Sequence, residues 1–407
     1  MNKIYVYAGW LSDCPLIGEY GYEHNFAMFR YSDYWLENGM PPLSPEAVLI
    51  EGWQYSPAFG FISDSSPDRW GKGLLERKER YLARKEKRHV RTLTTEDYLL
   101  GISDLGRNGG LRYKSSPEGD FLSVENDIPK ITDIRNLEHS SRMYNNRDEI
   151  MNERWLADIL APGSSLGGAR PKANVIDTDG TLWIAKFPKE GDNLDIGAWE
   201  MVANRLAKEC GINVPDAKLM YLSDAGHTFL SKRFDRTDNG GRIHAMSAMT
   251  AFGITDSDSS KADFGFLNIA EFISNNSNSV SLELRELYKR VVFSVCISNT
   301  DCHLRNHEFI LHDNSWSLSP AYDMNPNIEK SELAIPIGLK EKDISIDLVK
   351  QTAMFYRLSD SEADTIISDI GKTIVKNLEK FADEYGIRKA EQEYMEPAFL
   401  EAEKAAG

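Results

Sequence analysis

Asn299-Thr300-Asp301-Cys302-His303-Leu304-Arg305-Asn306, followed by Ser319-Pro320-Ala321-Tyr322-Asp323, is the stretch on which the reading of this chain turns. An Asp and an Asn stand five residues apart, and a second Asp follows a short intervening segment. Phosphoryl transfer from ATP needs these parts. One carboxylate accepts or orients the hydroxyl proton, while an amide oxygen and a second carboxylate hold the magnesium that neutralises the phosphates. The Asp-to-Asn interval equals that of the protein-kinase loop H-R-D-x-x-x-x-N. Between the two halves, Phe309-Ile310-Leu311 and Trp316-Ser317-Leu318 flank the turn residues His312-Asp313-Asn314-Ser315. Two short apolar runs around such a turn predict a β-hairpin, which would bring Asp323 back beside Asn306. The pattern predicts a magnesium-dependent kinase.

Composition sets the limits. A chain of 407 residues calls for two or three domains, since single cores stop growing below that length. No window approaches the run of about 18 apolar residues that a membrane span needs. The segment from Met1 to Trp10 lacks the apolar core of a secretory signal. Cys14, Cys210, Cys296 and Cys302 are scattered and form no C-x-x-C pair, which suits reduced thiols in a cytoplasm. Cys302 reads as a space-filling residue within the loop. A net charge of −16 argues against autonomous nucleic-acid binding. One local exception runs from Arg69 to Arg91, with ten Lys/Arg against three Glu. This is a solvated helix face, or a contact for an acidic partner or for DNA held by a partner protein.

Three segments are expected: 1–120 as an α+β domain, 121–235 as a small mixed lobe with a Gly-rich phosphate loop, and 236–407 as a helical lobe carrying the catalytic and metal-binding loops. In the first, Ile4–Tyr7, Phe26–Tyr31 and Leu111–Tyr113 read as strands. The basic segment after Pro67 reads as the main helix, and Thr94 as the N-cap of a short one. Farther on, Asp195 to Cys210 has an apolar stripe of Ile196, Trp199, Val202, Ala203 and Leu206, with Gly211 as the stop. Leu282–Ser298, Asp360–Tyr385 and Arg388–Lys404 complete the helices.

The phosphate-binding side is read upstream. Gly163 to Lys172 is a Gly-rich loop running into a strand; it matches neither standard phosphate-loop motif. Ala173–Ile176 and Thr181–Ala185 flank Asp177-Thr178-Asp179-Gly180, a hairpin with a type I turn and Gly180 left-handed. That register sets Lys172 opposite Lys186. Like charges across a strand pair are unfavourable, so the pair implies an anion between them, or two solvated edge lysines. Glu200 is the candidate counter-charge for Lys186, and is otherwise an exposed helix residue. Lys232 and Phe234, in Phe229 to Arg236, would lie at a linker beside the adenine.

Taken in order, several strings resemble the HipA-like serine/threonine kinase family of bacterial toxin–antitoxin pairs. They are Ser165-Leu166-Gly167-Gly168-Ala169-Arg170-Pro171-Lys172, Ala185-Lys186-Phe187, Arg233-Phe234-Asp235-Arg236, Asp301 to Asn306 and Pro320 to Asp323, with Ser66 to Gly71, Asp97 to Gly101 and Gly110 to Tyr113 nearer the N-terminus. The resemblance implies an α+β, two-lobed protein-kinase-like fold, a mixed α/β N-lobe and a helical C-lobe, with an additional N-terminal α+β domain. It implies ATP and Mg2+ as cofactors, Asp301 as the catalytic carboxylate with His303 as a second catalytic residue in the same loop, and Asn306 with Asp323 as metal ligands. Lys186 would meet the nucleotide phosphates, and the loop from Ser165 through Leu166, Gly167, Gly168, Ala169 and Arg170 to Lys172 would cradle them. Autophosphorylation of Ser165, with Ser164 in reserve, would add roughly −1.5 to −2 of charge and repel ATP. Arg305 stands where the family often has Lys, and Lys232 where some members carry an acidic residue. The implied partners are a protein substrate, such as an aminoacyl-tRNA synthetase, and a small helix-turn-helix antitoxin, with DNA reached only through it. Two other readings remain: an antitoxin-binding co-repressor in which the Arg69–Arg91 segment matters more than Asp301, and a small-molecule kinase sharing the Asp-to-Asn spacing.

Overall fold

The sheet near the start of the chain is anchored by two strands of alternating burial, Ile4–Ala8 and Leu111–Lys114. A computed structural model of the chain describes residues 3–23, 26–122, 128–143, 170–255 and 263–407. Strands β1 (Ile4–Ala8), β2 (Leu16–Glu23), β3 (Phe26–Tyr31), β4 (Gln54–Ser56) and β5 (Leu111–Lys114) form an antiparallel sheet in the order β4-β3-β2-β1-β5. Its inner face buries Val6, Tyr20, Phe29 and Tyr113 against Trp35 and Phe59. The central strand β2 was not expected, because Gly18 and Gly21 interrupt its apolar pattern. Gly18 has a packing reason: a Cβ there would lie 2.1 Å from the Arg30 carbonyl oxygen.

Internal packing divides the chain into two compact units, Met1–Glu190 with Lys232–Thr255, and Gly191–Ser231 with Asp256–Gly407. The first unit holds the five-stranded sheet, helix Arg69–Lys85 and the hairpin of β6 (Lys172–Ile176) and β7 (Leu182–Lys186). In that hairpin the Asp177 N–H donates to Thr181 O at 2.9 Å, the Gly180 N–H donates to Asp177 O at 3.0 Å, and Gly180 has φ +87°. The predicted turn and register are therefore present, with Lys172 opposite Lys186. A buried ionic network also stitches this unit. The Arg233 guanidinium, 0% exposed, donates to Asp235, Asn174 Oδ1 and the carbonyls of Gly106 and Arg107. Burial would raise the Asp235 carboxyl, but Arg233 and Arg236 outweigh it and hold it below the usual range.

The second unit is mainly helical. Helix Val280–Cys296 is its axis, with Leu284, Leu287, Val291 and Val295 fully buried. Helix Ile196–Glu209 is capped by Asp195, whose carboxylate accepts the Ala198 N–H at 3.1 Å, and stops at Gly211 with φ +68°. Helix Asp360–Glu384 starts from a Ser359–Glu362 capping box. The expected helix from Arg388 to Lys404 is instead Lys389–Met395, a 3-10 turn Glu396–Phe399 and Leu400–Ala406. Pro397 lacks the N–H a continuous helix would use, and it breaks the run. Among the described residues no helix is long and apolar enough to cross a membrane.

Candidate active site

Helix Val280–Cys296 delivers the chain to the loop through a defined stop. Ser298 is left-handed at φ +49°; its N–H donates to Val295 O at 3.1 Å, and the Asn299 N–H donates to Ser294 O at 2.8 Å. This is the Schellman closure, achieved here without glycine. The Asp301 carbonyl then receives the His303 N–H at 2.8 Å and the Asn306 Nδ2 at 2.9 Å. Asn306 closes the 3-10 turn Leu304–Asn306 by donating its N–H to His303 O at 2.8 Å. Because its amide nitrogen is engaged, Oδ1 is the end that a ligand would meet. Asp301 is exposed and His303 half-buried. The Cys302 thiol is 1% exposed, and burial pushes it up to about 11, which fits a packing role.

The expected hairpin follows as Glu308–His312 and Ser315–Leu318, paired Phe309 to Leu318 and Leu311 to Trp316. Asp313 and Asn314 at its tip have φ +47° and +59°, the type I′ pattern whose twist matches the strands. The chain returns so that the Ser319 N–H reaches Glu308 O at 2.9 Å. Two bonds hold the returning segment to the loop: Tyr322 Oη donates to Arg305 O at 2.8 Å, and the Asn325 N–H donates to Asn299 Oδ1 at 3.3 Å. Asp323 lies between these anchors in a left-handed backbone, φ +56°. Such a conformation is uncommon for a side-chain-bearing residue and recurs at functional sites. Among the described residues no three His, Cys, Asp or Glu side chains are gathered for a metal ion. The donors here are an oriented amide oxygen and one carboxylate. That set suits magnesium, which takes hard oxygens, uses few protein ligands and is completed by water and phosphate.

In the first unit, Lys172 differs from expectation in one respect: the anion beside it belongs to the chain. Its Nζ meets the Asp68 carboxylate at 3.0 Å, and the two side chains are 3% and 2% exposed. Burial raises the Asp68 carboxyl, against the lowering effect of Lys172 and the Gly71 N–H. Lys186 closes β7 half-buried, directly across from Lys172. Arg170 is half-buried; Ser164, Ser165, Leu166, Gly167, Gly168 and Ala169 lie outside the described residues. Lys232 pairs with exposed Asp238 at 3.0 Å, and Phe234 is half-buried. In the second unit Glu200 is 5% exposed on helix Ile196–Glu209, so it is not a solvated helix residue.

Sequence reasoning passed over the residues that support these groups. Asp68 and Trp70 stand in a resembling string and Asn299 and Tyr322 in the quoted stretch, none with a role of its own. Their partners are distant in sequence, as with Trp70 Nε1 donating to Lys172 O at 3.1 Å, and no local pattern announces such a bond.

A sequence model of the HipA-like C-terminal domain matches residues 164–378, more than half of the chain. The chain belongs to this HipA-like family. Among curated relatives, a Haemophilus influenzae protein named "Putative kinase" is 28% identical over 206 residues, covering 44% of this chain and 59% of that protein. "Putative kinase Y4dM" of Sinorhizobium fredii is 29% identical over 158 residues, covering 36% of this chain and 37% of that protein. The chain thus spans less than two thirds of either relative. A solved chain from the Shewanella oneidensis toxin–antitoxin complex of HipA, HipB and operator DNA matches with a TM-score of 0.69 at 18% identity, covering 99% of this chain and 96% of that one. The HipA-like chain has an α+β, kinase-like fold.

Proposed function

We propose that this chain is an ATP- and Mg2+-dependent serine/threonine-protein kinase, the toxin half of a toxin–antitoxin pair. The observation that carries the reading is the pinned pair of segments: Asn306 oriented by the Asp301 carbonyl, and Tyr322 tying the Asp323 segment to Arg305. Asp301, exposed at the loop surface, orients the acceptor hydroxyl and takes its proton. Asn306 Oδ1 and the Asp323 carboxylate hold magnesium, which when bound offsets the charge of the transferring phosphate. Lys186 binds nucleotide phosphate. Ser165, or Ser164, is the autophosphorylation site.

The proposed partner is a small DNA-binding antitoxin. Support comes from the named components of the solved Shewanella complex and from the net charge of −16, which leaves DNA to a partner. Lys78 and Arg84, exposed on helix Arg69–Lys85, are the positions at which charge reversal would test that contact.

The kinase reading is tested by incubating the purified chain with ATP and magnesium, beside Asp301→Ala, and mapping phosphate by intact-mass and peptide mass spectrometry. An Asp301-dependent phosphate on Ser165 or Ser164 is expected. Retention of transfer by a folded Asp301→Ala protein would remove Asp301 from the catalytic role. Failure of the unaltered chain to bind ATP would move the function to antitoxin binding.

A further inference from the structure

Strand β6 begins at Lys172, and what fixes that residue comes from about a hundred positions upstream. The Asp68 carboxylate meets the lysine ammonium at 3.0 Å, with both side chains almost wholly buried. Its other oxygen accepts the Gly71 N–H at 2.7 Å and caps helix Arg69–Lys85. Two residues on, the Trp70 indole donates to the Lys172 carbonyl at 3.1 Å and is 5% exposed. One short segment therefore holds both the charge and the main chain of Lys172. Removing one member of a buried ion pair strands the other without its solvation. Asp68 and Trp70 both lie outside the residues, 164–378, that define the family domain.

We propose that Asp68, assisted by Trp70, is a positioning residue for nucleotide binding. By neutralising Lys172 in place, it sets the start of β6 and relieves the repulsion that Lys172 would exert on Lys186 directly across the strand pair. Lys172 then acts as a fixed structural cation, and Lys186 is the phosphate lysine. The N-terminal region is accordingly part of the nucleotide site, and residues 164–378 alone lack the two groups, Asp68 and Trp70, that hold Lys172. This inference rests on the reading of the chain as an ATP-dependent kinase.

The test uses the full chain as wild type, Asp68→Asn, Lys172→Met and the double variant, with ATP affinity by calorimetry, KM and kcat for autophosphorylation, and thermal melting. Asparagine can still cap Gly71, so Asp68→Asn removes mainly the charge. Asp68→Asn is expected to raise KM for ATP about tenfold with a smaller change in kcat, and the double variant to recover most of the loss. Should Asp68→Asn not fold, Trp70→Phe, which loses only the N–H to Lys172, is expected to raise KM in the same sense. A lowered melting temperature with KM unchanged would make the pair purely structural and overturn the proposal. Lys172→Met as damaging as Asp68→Asn, with no recovery in the double variant, would make Lys172 a direct phosphate ligand and overturn it too. A wild-type chain that does not bind ATP sinks this inference together with the kinase reading, whereas the other failures leave that reading intact.

Discussion

At the residue scale, the site depends on a few side chains whose polar ends are committed. Asn306 spends its amide nitrogen on the Asp301 carbonyl, so Asn306→Ala removes both the proposed metal ligand and a loop bond. Transfer should fall at least about tenfold and recover in part at high magnesium, measured as initial rate against magnesium concentration; a rate independent of magnesium would remove Asn306 from the metal. Arg233 makes a different demand, since its planar fork serves Asp235, Asn174 and two carbonyls at once. Lysine cannot reproduce that geometry. Arg233→Lys keeps the charge but leaves buried acceptors unsatisfied, so it should destabilise the fold by about 1–3 kcal/mol, read from chemical denaturation. The Arg233 to Arg236 string was noticed in the sequence, but its buried role was not legible, because three of its partners lie in segments 59 to 127 residues away.

At the element scale, the helices and hairpins follow from local signals that agree with one another. Asp195 caps its helix and also accepts the His227 ring Nδ1 at 2.6 Å and the His227 N–H at 3.1 Å. This draws the strand Gly226–Lys232 so close that a Cβ on Gly197 would stand 2.2 Å from the His227 carbonyl oxygen. Gly197→Ala should therefore cost about 1–3 kcal/mol by overpacking, despite the better helix propensity of alanine, and the melting temperature is the check. An unchanged or raised melting temperature would mean that the strand yields. The same helix is held by Glu391, which accepts the Asp195 N–H at 2.7 Å and the Trp199 indole N–H at 3.0 Å. Nothing in the apolar stripe of residues 196–209 foretold a carboxylate from the far end of the chain.

At the scale of the whole molecule, each unit carries, among the described residues, one buried imidazole held neutral. His244 stacks on Trp10 with ring centroids 4.3 Å apart, His307 lies edge-on to Phe266, and burial pushes both down to about 3. An unfolded histidine titrates near pH 6.5, so below that value the unfolded chain binds more protons than the folded one. Stability is then fully present above about pH 6.5 and lost toward pH 3, at up to ~1.4 kcal/mol per pH unit for each histidine. Asp235, depressed by its arginines, contributes a separate loss only below about pH 4. Thermal melts from pH 7 to 4.5 should show the decline, and His244→Phe, which keeps a ring against Trp10, should flatten it. An identical slope in that variant would mean that His244 is not the titrating group.

The turn at Asp177 to Gly180, the hairpin around Asp313 and Asn314, the helix stop at Gly211 and the Asp-to-Asn loop were all legible from the sequence. Each rests on interactions within a few residues, where spacing and backbone preference act directly. The opposition of Lys172 and Lys186 was legible for the same reason, since a tight turn leaves only one register. Only the tertiary structure could decide that Asp68 neutralises Lys172, that Tyr322 pins the Asp323 segment to Arg305, and that residues 191–231 cluster with the helical unit while 232–255 return to the other. Those outcomes depend on which buried charges and hydrogen-bond donors meet across long stretches of chain. Burial makes each such meeting obligatory once the fold forms, but leaves no periodic trace by which it could be foreseen.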